Sequence, residues 1–127
     1  MTHSKERQPY EFDQDTKLAS LVLHGYLCAV CHEPERPDDR FEFNHAVAIW
    51  FAKEIGGALS IEVIRSLANC EPVHHSCHRK IHKEESRAYY QRRAVEVFSK
   101  FLELNVDHSL DDWRYQLGLL KSGYGND

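Results

Sequence analysis

The stretch NCEPVHHSCHRKIHK, residues 69–83, decides the fold of this chain, because it holds His74 and Cys77 with two residues between them. The same spacing occurs upstream in Cys28-Ala-Val-Cys31. Two intervening residues let one turn direct both side chains at a single ion, and two such turns complete the tetrahedral shell of Zn²⁺. The sequence therefore predicts a structural zinc bound by Cys28, Cys31, His74 and Cys77.

The ligand set leaves alternatives open. Cys70 and His75 are close enough in sequence to replace His74 as the fourth ligand. Four free or buried thiols would need no metal at all, and the stretch CAVCH, residues 28–32, also matches the pattern of covalent haem attachment. Metal binding is favoured, because nine His accompany the four Cys and the N-terminal residues do not resemble an export signal.

The composition limits the class of protein. The chain has 127 residues, 42% of them hydrophobic, and a net charge of −4, which fits one globular domain and excludes a disordered chain or a uniformly basic coat for nucleic acid. No apolar run is long enough to span a membrane, and we expect a cytoplasmic protein of a bacterial or phage-infected cell. Residues 78–100 carry seven basic side chains against three acidic ones, so a polyanion would be bound by one face only.

Hydrophobic periodicity and capping residues predict one mostly helical α+β domain over residues 1–127. Alternation of apolar and polar residues predicts a strand at 41–45, and a short extended piece follows at 69–73. The lead-in 1–12 and the tail 122–127 are expected to be flexible. The predicted helices are residues 16–24 after an Asp15 cap, 46–55, a short helix after a Ser60 cap, 78–105 and 109–121.

A second group of polar residues is typical of a catalytic site. Asn44 and His45 end the predicted strand, and Asn69 begins the extended piece. His78 and His82 are four residues apart on a predicted helix, which puts their imidazoles on one face, about 5–6 Å apart at Cβ, as binding to one ion requires. Phosphodiester hydrolysis needs a base that works near pH 7 and a cation that stabilises the phosphate oxygens, and histidines serve both purposes.

Taken together, these residues resemble the zinc-containing branch of the HNH endonucleases. The resemblance covers residues 24–83 and leaves 84–121, predicted as C-terminal helices, without an assigned motif. The residues that carry it are, in chain order, Cys28, Cys31, Asn44, His45, Asn69, His74, Cys77, His78 and His82.

The resemblance implies a ββα-metal (His-Me finger) core, in which a hairpin and a helix grip one catalytic divalent ion. It implies that His45 is the general base, that Asn69 holds the loop carrying this base, and that His78 and His82 bind the ion. Family members usually have Asp or His before the base as a further ligand, whereas this chain has Asn44, which is a neutral and weaker ligand. The catalytic ion expected is Mg²⁺, Mn²⁺, Ni²⁺ or Zn²⁺.

The sequence thus predicts a metal-dependent HNH endonuclease that hydrolyses DNA. The basic residues expected to contact its phosphates are Arg79, Lys80, Lys83 and Arg87, all on one predicted helix. Two alternatives remain: a non-catalytic, zinc-stabilised module that binds nucleic acid or protein, and a subunit of a larger nuclease or phage-packaging assembly. Segment 46–68 and the C-terminal helix are the candidate surfaces for a homodimer or a protein partner.

Overall fold

The computed structural model describes residues 8–83 and 86–104, without the side chains of Gln8, Ala58 and His82. The predicted last helix at 109–121 and the tail 122–127 lie outside these residues. The described part is an α+β fold, mostly helical, with one two-stranded antiparallel sheet. Its helices are α1 (Gln14–Leu23), α2 (Ile49–Ile55), α3 (Ile61–Ile64), α4 (His75–His82) and α5 (Arg87–Leu104), and its strands are β1 (Phe41–His45) and β2 (Cys70–His74).

The sheet positions most of the polar residues singled out above. β1 and β2 pair in a register that sets Phe41 opposite His74 and His45 opposite Cys70, and α4 follows β2 without an intervening loop. Because side chains alternate along a strand, Glu42 and Asn44 share one face of β1 while His45 points to the other. Helix α4 contacts both strands, and α1 packs on β2.

Two separate hydrophobic clusters stabilise the fold. The large cluster joins the insert between the strands to α5, and its fully buried members include Phe51, Val63, Ile64 and Phe98. The small cluster consists of Cys28, Val73 and Cys77. Trp50, although it adjoins Phe51 in sequence, is 41% exposed, because it lies on the outer side of α2.

Several predicted helix boundaries differ from the observed ones. The N-cap of α1 is Asp13 and not Asp15, since the Asp13 carboxylate accepts a hydrogen bond of 2.7 Å from the Thr16 N–H. The predicted helix 78–105 is two helices, because the Ser86 hydroxyl accepts a bond of 3.1 Å from the Tyr89 N–H and caps a new helix. The Ser60 cap is confirmed by its bond to the Val63 N–H.

The end of the expected flexible lead-in is packed against the sheet. Residues Gln8–Tyr10 form a turn of 3₁₀ helix, and Phe12 is only 7% exposed. The Phe12 ring stacks on the imidazole of His45 with 4.1 Å between ring centroids. Burial of this aromatic ring explains why residues 8–12 are part of the fold.

Candidate functional site

Four side chains converge where the segment around residue 28 meets the end of β2. The ligand atoms of Cys28, Cys31, His74 and Cys77 all lie within 4.8 Å of one another. A tetrahedral ion with metal–sulfur bonds of about 2.3 Å requires neighbouring ligand atoms about 3.8 Å apart. The cluster could therefore hold one metal ion, and its three sulfurs and one imidazole nitrogen are consistent with a structural zinc.

Backbone hydrogen bonds fix the N-terminal half of this cluster. The Cys28 N–H donates to the Glu33 carbonyl at 2.9 Å, and the His32 N–H returns to the Cys28 carbonyl at 2.9 Å. His32 has a φ of 63°, in the left-handed region, which closes this tight turn. The Ala29 N–H donates to the Pro72 carbonyl at 2.8 Å and so ties the turn to β2.

The hydrogen bonds of His74 determine which of its nitrogens faces the cluster. Its Nε2 lies 2.8 Å from the Pro34 carbonyl oxygen, which can only accept, so Nε2 carries the proton. The lone pair is therefore on Nδ1, which lies 3.2 Å from the Cys31 sulfur. Metal-binding histidines are typically oriented by such a bond from the other ring nitrogen.

The pKa values of two cysteines of the cluster are shifted in opposite directions. Burial raises the pKa of the Cys28 thiol, but the N–H groups of Cys31, His74 and Val30 outweigh it and lower this pKa to about 6. Burial and the adjacent Cys28 sulfur raise the pKa of Cys77 to about 11. The protein therefore favours the thiolate of Cys28, whereas Cys77 favours the neutral thiol until a cation binds.

The competing ligands take other partners. Cys70 lies outside the cluster, and burial raises the pKa of its thiol to about 11. The His75 imidazole bonds to the Glu42 carboxylate instead. Haem attachment through residues 28–32 would leave the convergence of His74 and Cys77 unexplained.

Asn69 binds the chain segment that follows β1. Its side chain is fully buried. Its Oδ1 accepts from the Val47 N–H at 2.7 Å, and its Nδ2 donates to the carbonyls of Val47 at 3.2 Å and Ile64 at 3.0 Å. Its own carbonyl accepts from the Ala46 N–H at 2.9 Å. Asn69 therefore holds the two residues directly after His45 in place.

Replacement of Asn69 by alanine is expected to lower the free energy of unfolding by about 3 kcal/mol, because three hydrogen bonds are lost and the buried Val47 N–H is left without an acceptor. The matched control is Asn44→Ala. Asn44 is nearly as buried, but its hydrogen bond to Glu71 is 3.5 Å long. Chemical denaturation of both variants measures the difference, and equal losses would contradict this account of Asn69.

His45 is held by the N-terminal segment. Its Nε2 lies 2.8 Å from the Tyr10 carbonyl oxygen, so this nitrogen donates and the lone pair is on Nδ1. Phe12 covers one face of the ring. The tautomer and the orientation of His45 are therefore set by residues far away in sequence.

The ring of His78 is held by Glu42, which lies on the face of β1 opposite to His45. Its Nδ1 lies 2.8 Å from Glu42 Oε1, and the Nδ1 of His75 lies 2.8 Å from Glu42 Oε2. Burial raises the pKa of the Glu42 carboxyl, but the bonds from His78 and His75 outweigh it and lower this pKa. An ionised Glu42 accepts the Nδ1 proton of His78 and leaves the His78 lone pair on Nε2.

The remaining predicted residues are placed as follows. Asn44 lies on the same face as Glu42, with its amide directed at Glu71, whose carboxylate also accepts from Arg93 at 2.5 Å. The side chain of His82 lies outside the described residues. Joint binding of one ion by Asn44, His78 and His82 stays a prediction.

The four basic residues are not on one helix. The side chains of Arg79, Lys80 and Lys83 are exposed, on α4 and at its C-terminal end. Arg87 begins α5, forms an ion pair with Glu54 and lies over the Phe51 ring. The prediction of one helix is wrong for Arg87, because α4 ends at His82 and the Ser86 cap starts a separate helix, α5.

Sequence reasoning missed three residues that orient the histidines: Glu42, Tyr10 and Pro34. Strand alternation could have identified Glu42, since it shares a face with Asn44. Tyr10 and Pro34 act through backbone carbonyls, which every residue has, so the sequence could not identify them.

Comparisons of the chain with protein-family models, with curated proteins and with solved structures give no match. Within residues 8–83 and 86–104, none of the helices combines the length and the apolar character needed to cross a bilayer. Any function must therefore be argued from the residues and contacts above.

Proposed function

We propose that this chain is a metal-dependent HNH endonuclease that hydrolyses DNA phosphodiester bonds, with a ββα-metal core formed by β1, β2 and α4 and stabilised by zinc. The observation that supports the proposal is the position of Glu42, which shares one face of β1 with Asn44 and bonds to His78, so two of the proposed ion ligands adjoin the same face. His45 keeps a lone pair on Nδ1, and His78 keeps one on Nε2. A proton acceptor and a metal ligand are the two roles that the resemblance gives these residues.

The ligands proposed for the catalytic ion are His78, His82 and Asn44. The fit is supported by Glu42, whose carboxylate fixes the ring of His78 in the tautomer that a metal requires. A bound Mg²⁺, Mn²⁺, Ni²⁺ or Zn²⁺ supplies positive charge for the scissile phosphate and the departing oxygen. Asn44 contributes a neutral amide oxygen in this proposal, so His78 carries more of the binding.

His45 acts as the general base in this proposal. Its Nδ1 takes a proton from the attacking water, while its Nε2–H bond to the Tyr10 carbonyl holds the ring as positive charge develops. Asn69 keeps the backbone after His45 fixed. The reaction therefore does not have to supply the entropy cost of positioning the base. Arg79, Lys80 and Lys83 are proposed to bind the DNA backbone, and Arg87 contributes less because it is paired with Glu54.

The test is a supercoiled-plasmid assay on protein that retains its structural metal, with Mg²⁺, Mn²⁺, Ni²⁺ and Zn²⁺ added one at a time. Replacement of His78 by alanine is expected to reduce nicking about a hundredfold, because the proposed ion loses a ligand. The matched control is His75→Ala, which removes the other histidine bonded to Glu42 and should leave nicking within a few-fold. A folded protein that nicks with none of the four ions would refute the proposal.

A second function is a zinc-stabilised module that binds nucleic acid or protein without cleaving it. It is favoured by three contacts: the neutral Asn44 amide is directed at Glu71, the Tyr10 carbonyl bonds to His45, and the Phe12 ring covers one face of His45. It predicts one metal ion per chain and no nicking stimulated by added ions. Such a module would also suit a subunit of a larger nuclease or phage-packaging assembly that docks through segment 46–68 or the C-terminal helix.

The four cysteines of the described part are free. A reducing compartment keeps such thiols available for a metal. This supports the proposal that the protein works in the cytoplasm.

A further inference from the structure

A cleft of about 360 Å³ is lined by the turn around Val30, by β2 and by helices α4 and α5. Its volume is within the range of small-molecule sites, which begins at about 300 Å³. Part of the lining is apolar and comes from Ala29, Val30 and Ile81, while the rest is aromatic or charged. A ligand of this cleft therefore needs both an apolar surface and a polar edge.

The charged side chains of the cleft balance one another. Arg93 donates from Nη1 to the Glu96 carboxylate at 2.8 Å and from Nη2 to the Glu71 carboxylate at 2.5 Å. Arg92 also lines the cleft, so the charges of the described lining residues sum to zero. An anion would meet two carboxylates there and a cation would meet two guanidinium groups, which favours a neutral ligand.

One polar atom of the lining lacks an acceptor. The Nε of Arg93 is buried and makes no hydrogen bond to any described residue. A buried N–H group without an acceptor costs free energy. A ligand that brings a carbonyl oxygen or a ring nitrogen to this atom would remove that cost.

Two planar groups of the cleft lie close together on α5. The guanidinium carbon of Arg92 lies over the Tyr89 ring, 5.9 Å from its centroid. Nucleobases stack on tyrosine rings and on guanidinium planes. A nucleobase is also neutral and planar, and its edge carries carbonyl oxygens or ring nitrogens, so it matches each property of the lining.

We propose that this cleft binds one unpaired nucleobase of a DNA strand. The inference rests on the proposed function, since it takes DNA as the substrate. The cleft adjoins the proposed ion site, because Glu71, which lines it, lies opposite Asn44 in the sheet and accepts from the Asn44 amide at 3.5 Å. A base inside a duplex is stacked and paired and cannot enter such a cleft, so the protein should prefer single-stranded DNA.

Fluorescence anisotropy tests this inference with a labelled single strand and with the duplex of the same sequence, both without added divalent ions. We expect the single strand to bind about tenfold more tightly than the duplex. Tyr89→Ala should weaken single-strand binding about tenfold, because one stacking contact is lost, and Tyr89→Phe should leave it within about twofold. The matched control is Trp50→Ala, which removes an exposed aromatic ring outside the cleft and should change neither affinity.

Val30→Met serves as a second variant if Tyr89→Ala fails to fold. It lengthens an uncharged side chain of the lining at an exposed position and should weaken binding of the single strand but not of the duplex. The inference is overturned if the single strand binds no more tightly than the duplex or if neither form binds. It is also overturned if both cleft variants leave the preference unchanged, or if Trp50→Ala weakens single-strand binding as much as Tyr89→Ala.

These outcomes are separate from those of the plasmid assay. A protein that nicks plasmid but shows no preference for the single strand contradicts this inference alone. A protein that prefers the single strand but nicks with none of the four ions contradicts the proposed nuclease activity and leaves the cleft as a binding site.

Discussion

Replacement of Cys77 by alanine is expected to release the structural metal and to lower the apparent free energy of unfolding by about 5 kcal/mol or more. Structural zinc sites contribute binding free energy of roughly 10 kcal/mol or more to folding, and three ligands retain only part of it. For a domain of this size, such a loss corresponds to a decrease of about 20 °C or more in Tm.

The matched control for this prediction is Cys70→Ala. Cys70 is at least as buried as Cys77, but its sulfur lies outside the cluster. Its replacement should cost about 1–2 kcal/mol from lost packing and should leave one metal ion per chain. Elemental analysis and thermal unfolding by circular dichroism measure both quantities. Equal metal loss from the two variants would mean that the cluster is assigned to the wrong cysteine.

Replacement of His45 by alanine is expected to reduce plasmid nicking by about 10²-fold to 10⁴-fold, the range for removal of a general base. Metal content and DNA affinity should stay unchanged, because His45 is not among the metal-cluster residues and the proposed phosphate contacts are on α4.

A stability effect must be separated from a catalytic one at His45, because its ring packs on Phe12. Phe12→Leu keeps an apolar group against the imidazole and should lower nicking much less than His45→Ala. Tyr10→Phe should change neither plasmid nicking nor stability, since Tyr10 contacts His45 through its backbone carbonyl. A His45→Ala protein that nicks as fast as the parent would remove the base assignment, whatever its stability.

The metal cluster and β1 were predictable because short, local patterns determine them. The two-residue spacings select Cys28, Cys31, His74 and Cys77, and alternation gives the observed bounds Phe41–His45. The sequence alone could not choose between His74, His75 and Cys70, since that choice depends on how β2 meets the turn around residue 28. In the fold, the Pro34 carbonyl orients the His74 ring so that His74 is the histidine of the cluster.

The residues around His45 and His78 were less predictable, because their partners come from distant segments. Glu42 reaches His78 across the gap between strand and helix, and Tyr10 reaches His45 from the N-terminal end. The predicted helix 78–105 is divided because Ser86 caps a new helix. Hydrophobic periodicity alone does not show whether such a serine starts a helix or lies inside one.

The separation of the two hydrophobic clusters has a consequence for how the chain comes apart. The large cluster around Phe51 and Phe98 includes none of the four residues that could hold a metal, whereas the small one contains Cys28 and Cys77. Loss of a metal from these residues, or oxidation of their thiols, should therefore open the segment around Cys28 and Cys77 first, before the large cluster unfolds. In a cell, proteases would recognise molecules opened in this way, so if the cluster binds zinc the abundance of the protein would follow the zinc supply.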